Sequence, residues 1–210
     1  MDSKAKLLLG LSGVGTTGGV GAFFAFPHRS KEEERESILT VISSQERRFV
    51  LSTSNDVHNA QWGAIVKEIK DDVIAKTEIG DPIDESRLKS WCEETSKKTF
   101  YKDDLLIKFD FRCTRNTILT EVIEKLESNK SLIEFNDSAG WTSQYNDYKT
   151  NATDPKLQIT LEGKKITNSD MSSRQDNDIR DWCKSMNNTL FEGSESDSYK
   201  TFTKWCIKST

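Results

Sequence analysis

Residues 88–92 read Leu88-Lys89-Ser90-Trp91-Cys92, and residues 179–183 read Ile179-Arg180-Asp181-Trp182-Cys183. An aliphatic residue, two polar residues and Trp-Cys, returning 91 positions later, raise the question of an internal duplication. Matches on both sides favour one. Upstream, Ser37-Ile-Leu-Thr-Val-Ile42 answers to Thr117-Ile-Leu-Thr-Glu-Val-Ile123, and Trp62, Val66 and Ile69 answer to Trp141, Tyr145 and Tyr148. Downstream, Phe100 and Phe191 each fall eight residues past the cysteine. Leu106, Phe109 and Cys113 then answer to Tyr199, Phe202 and Cys206. Five blocks recur in one order, with an offset that grows from 79–80 to 91–93. Ordered self-similarity of this kind is the mark of a repeated structural unit. The expected organisation is repeat 1 over residues 37–117 and repeat 2 over 118–210, the second with an insertion near 153–170.

Each block has helical spacing. Trp62, Val66 and Ile69 stand at i, i+4 and i+7. Leu106, Phe109 and Cys113 stand at i, i+3 and i+7, and Ile179, Trp182, Cys183 and Met186 form another stripe. Apolar residues at these intervals line one face of an α-helix, so the aromatics read first as core. Short strands are expected at Arg48–Ser52, at Leu132–Phe135 and in the insertion. There Leu157, Ile159 and Leu161 alternate with polar residues, and Glu162-Gly163-Lys164 suits a hairpin turn. The expected fold class is mainly α with minor β: an N-terminal transmembrane or signal helix, then two divergent copies of a small helical repeat, each stapled by a disulfide.

Four cysteines, Cys92, Cys113, Cys183 and Cys206, fall two to a repeat. Three pairings are open to them. Spacing favours Cys92–Cys113 and Cys183–Cys206. In each repeat the two cysteines lie on consecutive amphipathic helices, at similar distances from the turn that joins them, near residues 101 and 194. In an antiparallel pair rising about 1.5 Å per residue, the partners come level to within roughly 5 Å. That is close to the Cα separation a disulfide needs, and each bond would stabilise by roughly 3 kcal/mol. Four reduced, buried thiols are the alternative. A zinc site is not expected, because there is no C-x2-C and the only histidines are His28 and His58. A thioredoxin-like site is excluded by the missing second thiol after Cys92 and after Cys183.

Leu7 to Phe26 is a run of 20 residues without a charge, with Lys4 and Lys6 before it and His28, Arg29 and Lys31 after it. As a helix it would span about 30 Å, the thickness of a bilayer's hydrocarbon core. Its glycines imitate nucleotide-binding loops. Gly13-Val-Gly15-Thr-Thr-Gly18 fits G-x-G-x-x-G, but no buried strand of useful length precedes it and a charge run at Lys31–Glu36 soon follows. The phosphate-loop reading fails because Thr16 stands where the lysine is needed. Residues 1–27 are therefore expected to anchor the chain in a membrane as one uncleaved span, in preference to a cleaved signal, with residues 28–36 as a charged linker. Gly15 and Gly19, spaced as G-x-x-x-G, are the candidate contact between two such helices.

Beyond residue 27 the chain holds 28 basic and 33 acidic residues, once Asp2, Lys4 and Lys6 are set aside. A slightly acidic, mixed surface argues against nucleic acid, whose phosphates call for a basic face. Charged residues make up 30% of the chain, so the core is thin and covalent staples would matter. No catalytic, cofactor or metal site and no small-molecule substrate is evident. His58 reads as a surface residue at a helix start. The acidic pairs Asp71-Asp72 and Asp103-Asp104 are the carboxylates that an exported, metal-dependent hydrolase would use. A structural envelope protein that self-associates through Gly15 and Gly19 is a further alternative.

Taken in order, the features resemble a known family. A basic leader runs into Lys6-Leu-Leu-Leu-Gly10, and a glycine-rich apolar run ends near residue 26. Two Trp-led units follow, each with a Leu-Lys-x-Trp-Cys-like block, and the last closes on Lys204-Trp205-Cys206. This is similar to a large paralogous family of uncharacterised, membrane-anchored proteins of haemotropic mycoplasmas, wall-less bacteria that attach to red blood cells. The first repeat departs from the pattern by closing on Phe111-Arg112-Cys113. The resemblance implies a single-pass surface protein with its C-terminal ectodomain outside the cell, serving either contact with a host cell surface or a serum protein, or antigenic variation. It carries over no catalytic residue.

Overall fold

The structure, a computed structural model, describes residues 36–44, 48–54, 56–99 and 103–209. The expected anchor with Gly15 and Gly19, the linker as far as residue 35, and Phe100 lie outside the described residues. What is described is mainly helical, with short strands and two disulfides.

The first helix, α1 (Ile38–Ser43), starts where Ser37 Oγ accepts the Thr40 N–H at 3.2 Å, satisfying one free amide of the first turn. After a two-residue strand β1 (Phe49–Val50) comes α2 (Asn59–Ile69), which buries Trp62, Ile65 and Ile69 on one face. The indole of Trp62 is wholly buried, and its Nε1–H donates to the Ser52 carbonyl at 3.0 Å. Asp72 then caps α3 (Val73–Ile79), and Asp84 caps α4 (Glu85–Ser96), which turns back against α5 (Asp103–Cys113). Strand β2 (Thr114–Arg115) follows at once and pairs antiparallel with β1. The side chains of Ile38, Ile42, Trp62, Ile65, Leu88 and Phe109 are the centre of one hydrophobic cluster.

The second half follows a related course. Thr117 caps α6 (Ile118–Lys125), its Oγ1 accepting the Thr120 N–H at 3.2 Å. Strand β3 (Lys130–Leu132) leads through a turn to α7 (Ser138–Asn151), which buries Trp141 and Tyr148. A short 3-10 turn (Pro155–Leu157), the hairpin of β4 (Thr160–Leu161) and β5 (Lys164–Lys165), and a second 3-10 turn (Asp170–Ser173) come next. Then α8 (Asp176–Met186) turns back against α9 (Asp197–Trp205), and β6 (Ile207–Ser209) pairs antiparallel with β3. Trp141, Tyr148, Ile179, Trp182, Phe202 and Trp205 lie in a second hydrophobic cluster.

Several contacts of the first half have counterparts in the second. Ser37 bridges Thr99, and Thr117 bridges Leu190. The Ile38 N–H donates to Lys98 O at 3.0 Å, and the Ile118 N–H to Thr189 O at 2.8 Å. Trp141 Nε1–H donates to Glu134 O at 2.8 Å, as Trp62 does to Ser52. The Leu51 N–H donates to Cys113 O at 2.9 Å, and the Ile133 N–H to Cys206 O at 3.0 Å.

The halves differ between the Trp helix and the cysteine helix. The first places α3 there, a helix absent from the sequence expectation. The second places the expected hairpin, with Glu162 and Gly163 at φ 51° and 78°. Two successive left-handed residues match the right-handed twist of the flanking strands, which is why glycine suits the second. The strand expected over Leu132–Phe135 is displaced to Lys130–Leu132. The reason is local: the Asp137 N–H donates to Glu134 O at 2.9 Å, closing a turn that sets Asp137 to cap α7.

Candidate functional site

The cysteines come together as two bonds. Cys92 and Cys113 join α4 to the end of α5 with Cα atoms 5.7 Å apart, and Cys183 and Cys206 join α8 to the end of α9 at 5.8 Å. All four are almost wholly buried, each pair within its own hydrophobic cluster. The bonds are structural clamps, placed where the last helix of each half hands over to a strand.

The other residues singled out in the sequence do not converge. His58 stands at the start of α2, half-buried, with its Nδ1 accepting the Ser52 N–H at 2.8 Å. Asp72 accepts the Ile74 and Ala75 N–H groups at 2.8 and 3.0 Å. The Ala75 bond chiefly holds its carboxyl below the ordinary value. Asp104 is ion-paired with Lys108 at 2.8 Å. Asp71 is exposed, and Asp103 opens α5. Among the described residues no group of three or more His, Cys, Asp or Glu is arranged to hold a metal.

The junction of the halves carries a buried polar cluster. Arg115 pairs with Glu68 at 2.7 Å, and its guanidinium lies 5.9 Å over the Phe191 ring. Asn116 Nδ2 donates to Glu121 at 2.9 Å and to Glu124 at 3.1 Å. Gly193, at φ 96°, rests against α2, where an added Cβ would stand 3.4 Å from Ala64. Leu190 packs on the first hydrophobic cluster. These contacts lock the halves to each other.

A cleft of about 360 Å³ opens between α6, α9 and the β3–β6 ribbon. Val122, Leu126 and Ile207 supply an apolar floor, and Tyr199 stands at its side. The Tyr199 ring meets Phe191 edge-on at 5.0 Å, and burial raises its hydroxyl above the ordinary value. Four lysines, Lys125, Lys130, Lys204 and Lys208, line the cleft, with Glu127 the acidic residue among its lining. Lys125 and Lys204 lie in the last turns of α6 and α9, where unpaired carbonyls favour cations. Lys130 belongs to β3, so no helix end accounts for it.

Each ammonium also has a carboxylate neighbour. Lys125 sits 2.6 Å from Glu121, and that bond raises its pKa. Lys130 is 3.2 Å from Glu127, and Lys204 is 3.2 Å from Asp147. Lys208 is held at 2.6 Å by Asp137, which also caps α7. Lys208 thus serves the fold first. The side chains of Lys130 and Lys204 remain 42% and 44% exposed, which leaves them free to change partners. Sequence reasoning missed this cleft. Lys204 and Lys208 are visible at a four-residue spacing, but Lys130 joins them through the pairing of β3 with β6, and Lys125 through the packing of α6 on α9.

Comparison with protein-family models, with curated proteins and with solved structures finds no match.

Proposed function

We propose that this chain is a non-catalytic binding module, built from two divergent copies of a disulfide-stapled helical unit and displayed on the outer face of a cell membrane by its N-terminal segment. The observation that carries the reading is the pair of bonds Cys92–Cys113 and Cys183–Cys206. Disulfides persist in oxidising surroundings outside the cytosol, and small domains with thin cores depend on them. The uncharged run from Leu7 to Phe26 supplies the means of attachment. The matched bridges, caps and indole bonds of the two halves support the duplication. The resemblance to the anchored paralogues of haemotropic mycoplasmas agrees with display and makes a host cell surface or a serum protein the partner class.

Trypsin treatment of intact cells tests display. Peptides from residues 31–210, followed by mass spectrometry, are expected to disappear while those of cytosolic proteins persist. Their survival on intact cells together with loss on lysed cells would place the domain inside and end the reading.

A further inference from the structure

The cleft beside β6 joins an apolar floor to exposed ammonium groups on a chain whose net charge is −4. We propose that it binds a short, extended acidic segment of a partner protein. An aliphatic side chain of the segment rests on Leu126 and Ile207, and flanking carboxylates meet Lys130 and Lys204. The proposal rests on the reading of the chain as a binding module, but not on which side of a membrane it stands.

Three features select this chemistry. The cations lining the cleft are all lysines. An ammonium is a point charge that a carboxylate approaches from many directions, whereas planar, bidentate capture of phosphate or sulfate favours arginine. The floor is aliphatic, and Tyr199 already engages Phe191, so the surface suits a leucine or valine better than a hydroxyl-covered sugar ring. The present partners of Lys130 and Lys204, Glu127 and Asp147, are themselves 65% and 37% exposed. Exposed ion pairs are weak, so an incoming carboxylate exchanges for them at little cost. A volume near 360 Å³ falls at the small end of ligand clefts, which fits a few residues and not a folded surface.

The test uses the full chain in neutral-detergent micelles and a fluorescein-labelled peptide of sequence Glu-Asp-Leu-Glu-Asp, read by fluorescence anisotropy. Saturable binding is expected, weakened about tenfold in the double variant Lys130→Gln, Lys204→Gln. A remote control, Lys149→Gln on α7, should bind as the parent does. A peptide with serine in place of leucine should bind several-fold more weakly. Unchanged thermal unfolding of the double variant shows that its fold is intact. Absence of saturable binding, or equal binding by parent and double variant, overturns the proposal. So does equal loss in Lys149→Gln, or equal affinity for the serine peptide, since either marks general attraction to polyanions. Tighter binding of a sulfated disaccharide at the same site would replace the peptide with a glycan. None of these outcomes depends on the trypsin experiment.

Discussion

The guanidinium of Arg112 lies 5.1 Å over the ring of Trp91 and donates through Nη1 to the Glu78 carboxylate. Arg112 precedes the closing cysteine of the first half, as Trp205 does in the second. Both residues grip the segment that joins the Trp helix to the cysteine helix. Arg112, with Lys108 one turn earlier, holds α3 through Glu78. Trp205 donates through Nε1 to Leu157 O, and Thr201 one turn earlier donates to Lys156 O at 2.9 Å. The same two positions of the last helix thus fasten an ionic connector in one half and a hydrogen-bonded one in the other. Phe111-Arg112-Cys113 stands where the second half has Lys204-Trp205-Cys206, and the difference has a physical reason: Arg112 meets the acid that α3 presents.

Arg112→Ala should destabilise the protein by about 3 kcal/mol, because it leaves Glu78 partly buried without its guanidinium and strips the Trp91 face. Only 5% of the Arg112 side chain is exposed, so its removal also leaves a void beside Trp91, while Glu78 keeps Lys108 at 2.6 Å. Urea unfolding gives the magnitude. Hydrogen exchange should locate the loosening in α3, over residues 73–79. An equal loss of protection in α7 and α3 would refute the local role.

The same contact makes a pH prediction. Burial pushes the Glu78 carboxyl up, but the hydrogen bonds from Lys108 and Arg112 outweigh it and hold the group below its ordinary value of 4.5. A carboxylate depressed in the folded state stabilises fully above its unfolded pKa and loses that contribution as pH falls through the folded one. The stability of the parent should therefore fall as pH drops below about 4.5, and Glu78→Gln should flatten that part of the profile. Urea midpoints measured across the acid range decide it. Parallel profiles for parent and variant would show that Glu78 is not linked to folding.

The staples should act separately. Replacing Cys92 and Cys113 together by alanine should cost roughly 3 kcal/mol, and replacing Cys183 and Cys206 should cost about the same, since the closed loops are of similar length. Peptide mapping without reductant should yield only the two within-half linkages. A peptide joining Cys92 to Cys206 or Cys113 to Cys183 would contradict the fold.

Tyr148 fastens the hairpin of the second half from inside. Its hydroxyl donates to Ile166 O at 2.5 Å and accepts the Ile159 N–H at 3.0 Å, and burial pushes its pKa to about 12. Tyr148→Phe leaves both backbone groups buried without a partner, which should cost about 2–4 kcal/mol. Amides of residues 159–166 should lose hydrogen-exchange protection while α2 keeps its own. Retention of protection there would mean that the Ile166–Ile159 bond and the β4–β5 pairing suffice.

Legibility in the sequence followed the range of the interactions. The cysteine helices show a local period, so their pairing and the level of the cysteines could be worked out from spacing. The hairpin was legible in the turn residues Glu162-Gly163, whereas Leu157, expected to alternate with Ile159 and Leu161 in a strand, closes a 3-10 turn instead. Helix α3 was not, because Ala75 is its buried residue while Val73 and Ile74 are 76% and 58% exposed, so no apolar stripe announces it. Its anchor, Glu78, meets cations 30 and 34 residues away. The lysine cleft failed for the same reason. The pairing of β3 with β6 brings Lys130 to the cleft that Lys204 on α9 also lines, and strand pairing leaves no periodic trace.

The turn at Glu162-Gly163 offers the last prediction, and it runs toward greater stability. Glu162 holds φ at 51°, a left-handed conformation that costs a residue with a full side chain. Asparagine tolerates it better and leads the Asn-Gly turns of two-residue hairpins. Gly163 at φ 78° should stay, although nothing lies within 4 Å of an added Cβ, because the backbone angle and not space requires it. Glu162→Asn should stabilise by about 0.5 kcal/mol and Gly163→Ala should destabilise by about 1 kcal/mol. Opposite signs in urea unfolding would support a hairpin held by its turn. Two neutral results would assign its stability to Tyr148 and Trp205 alone.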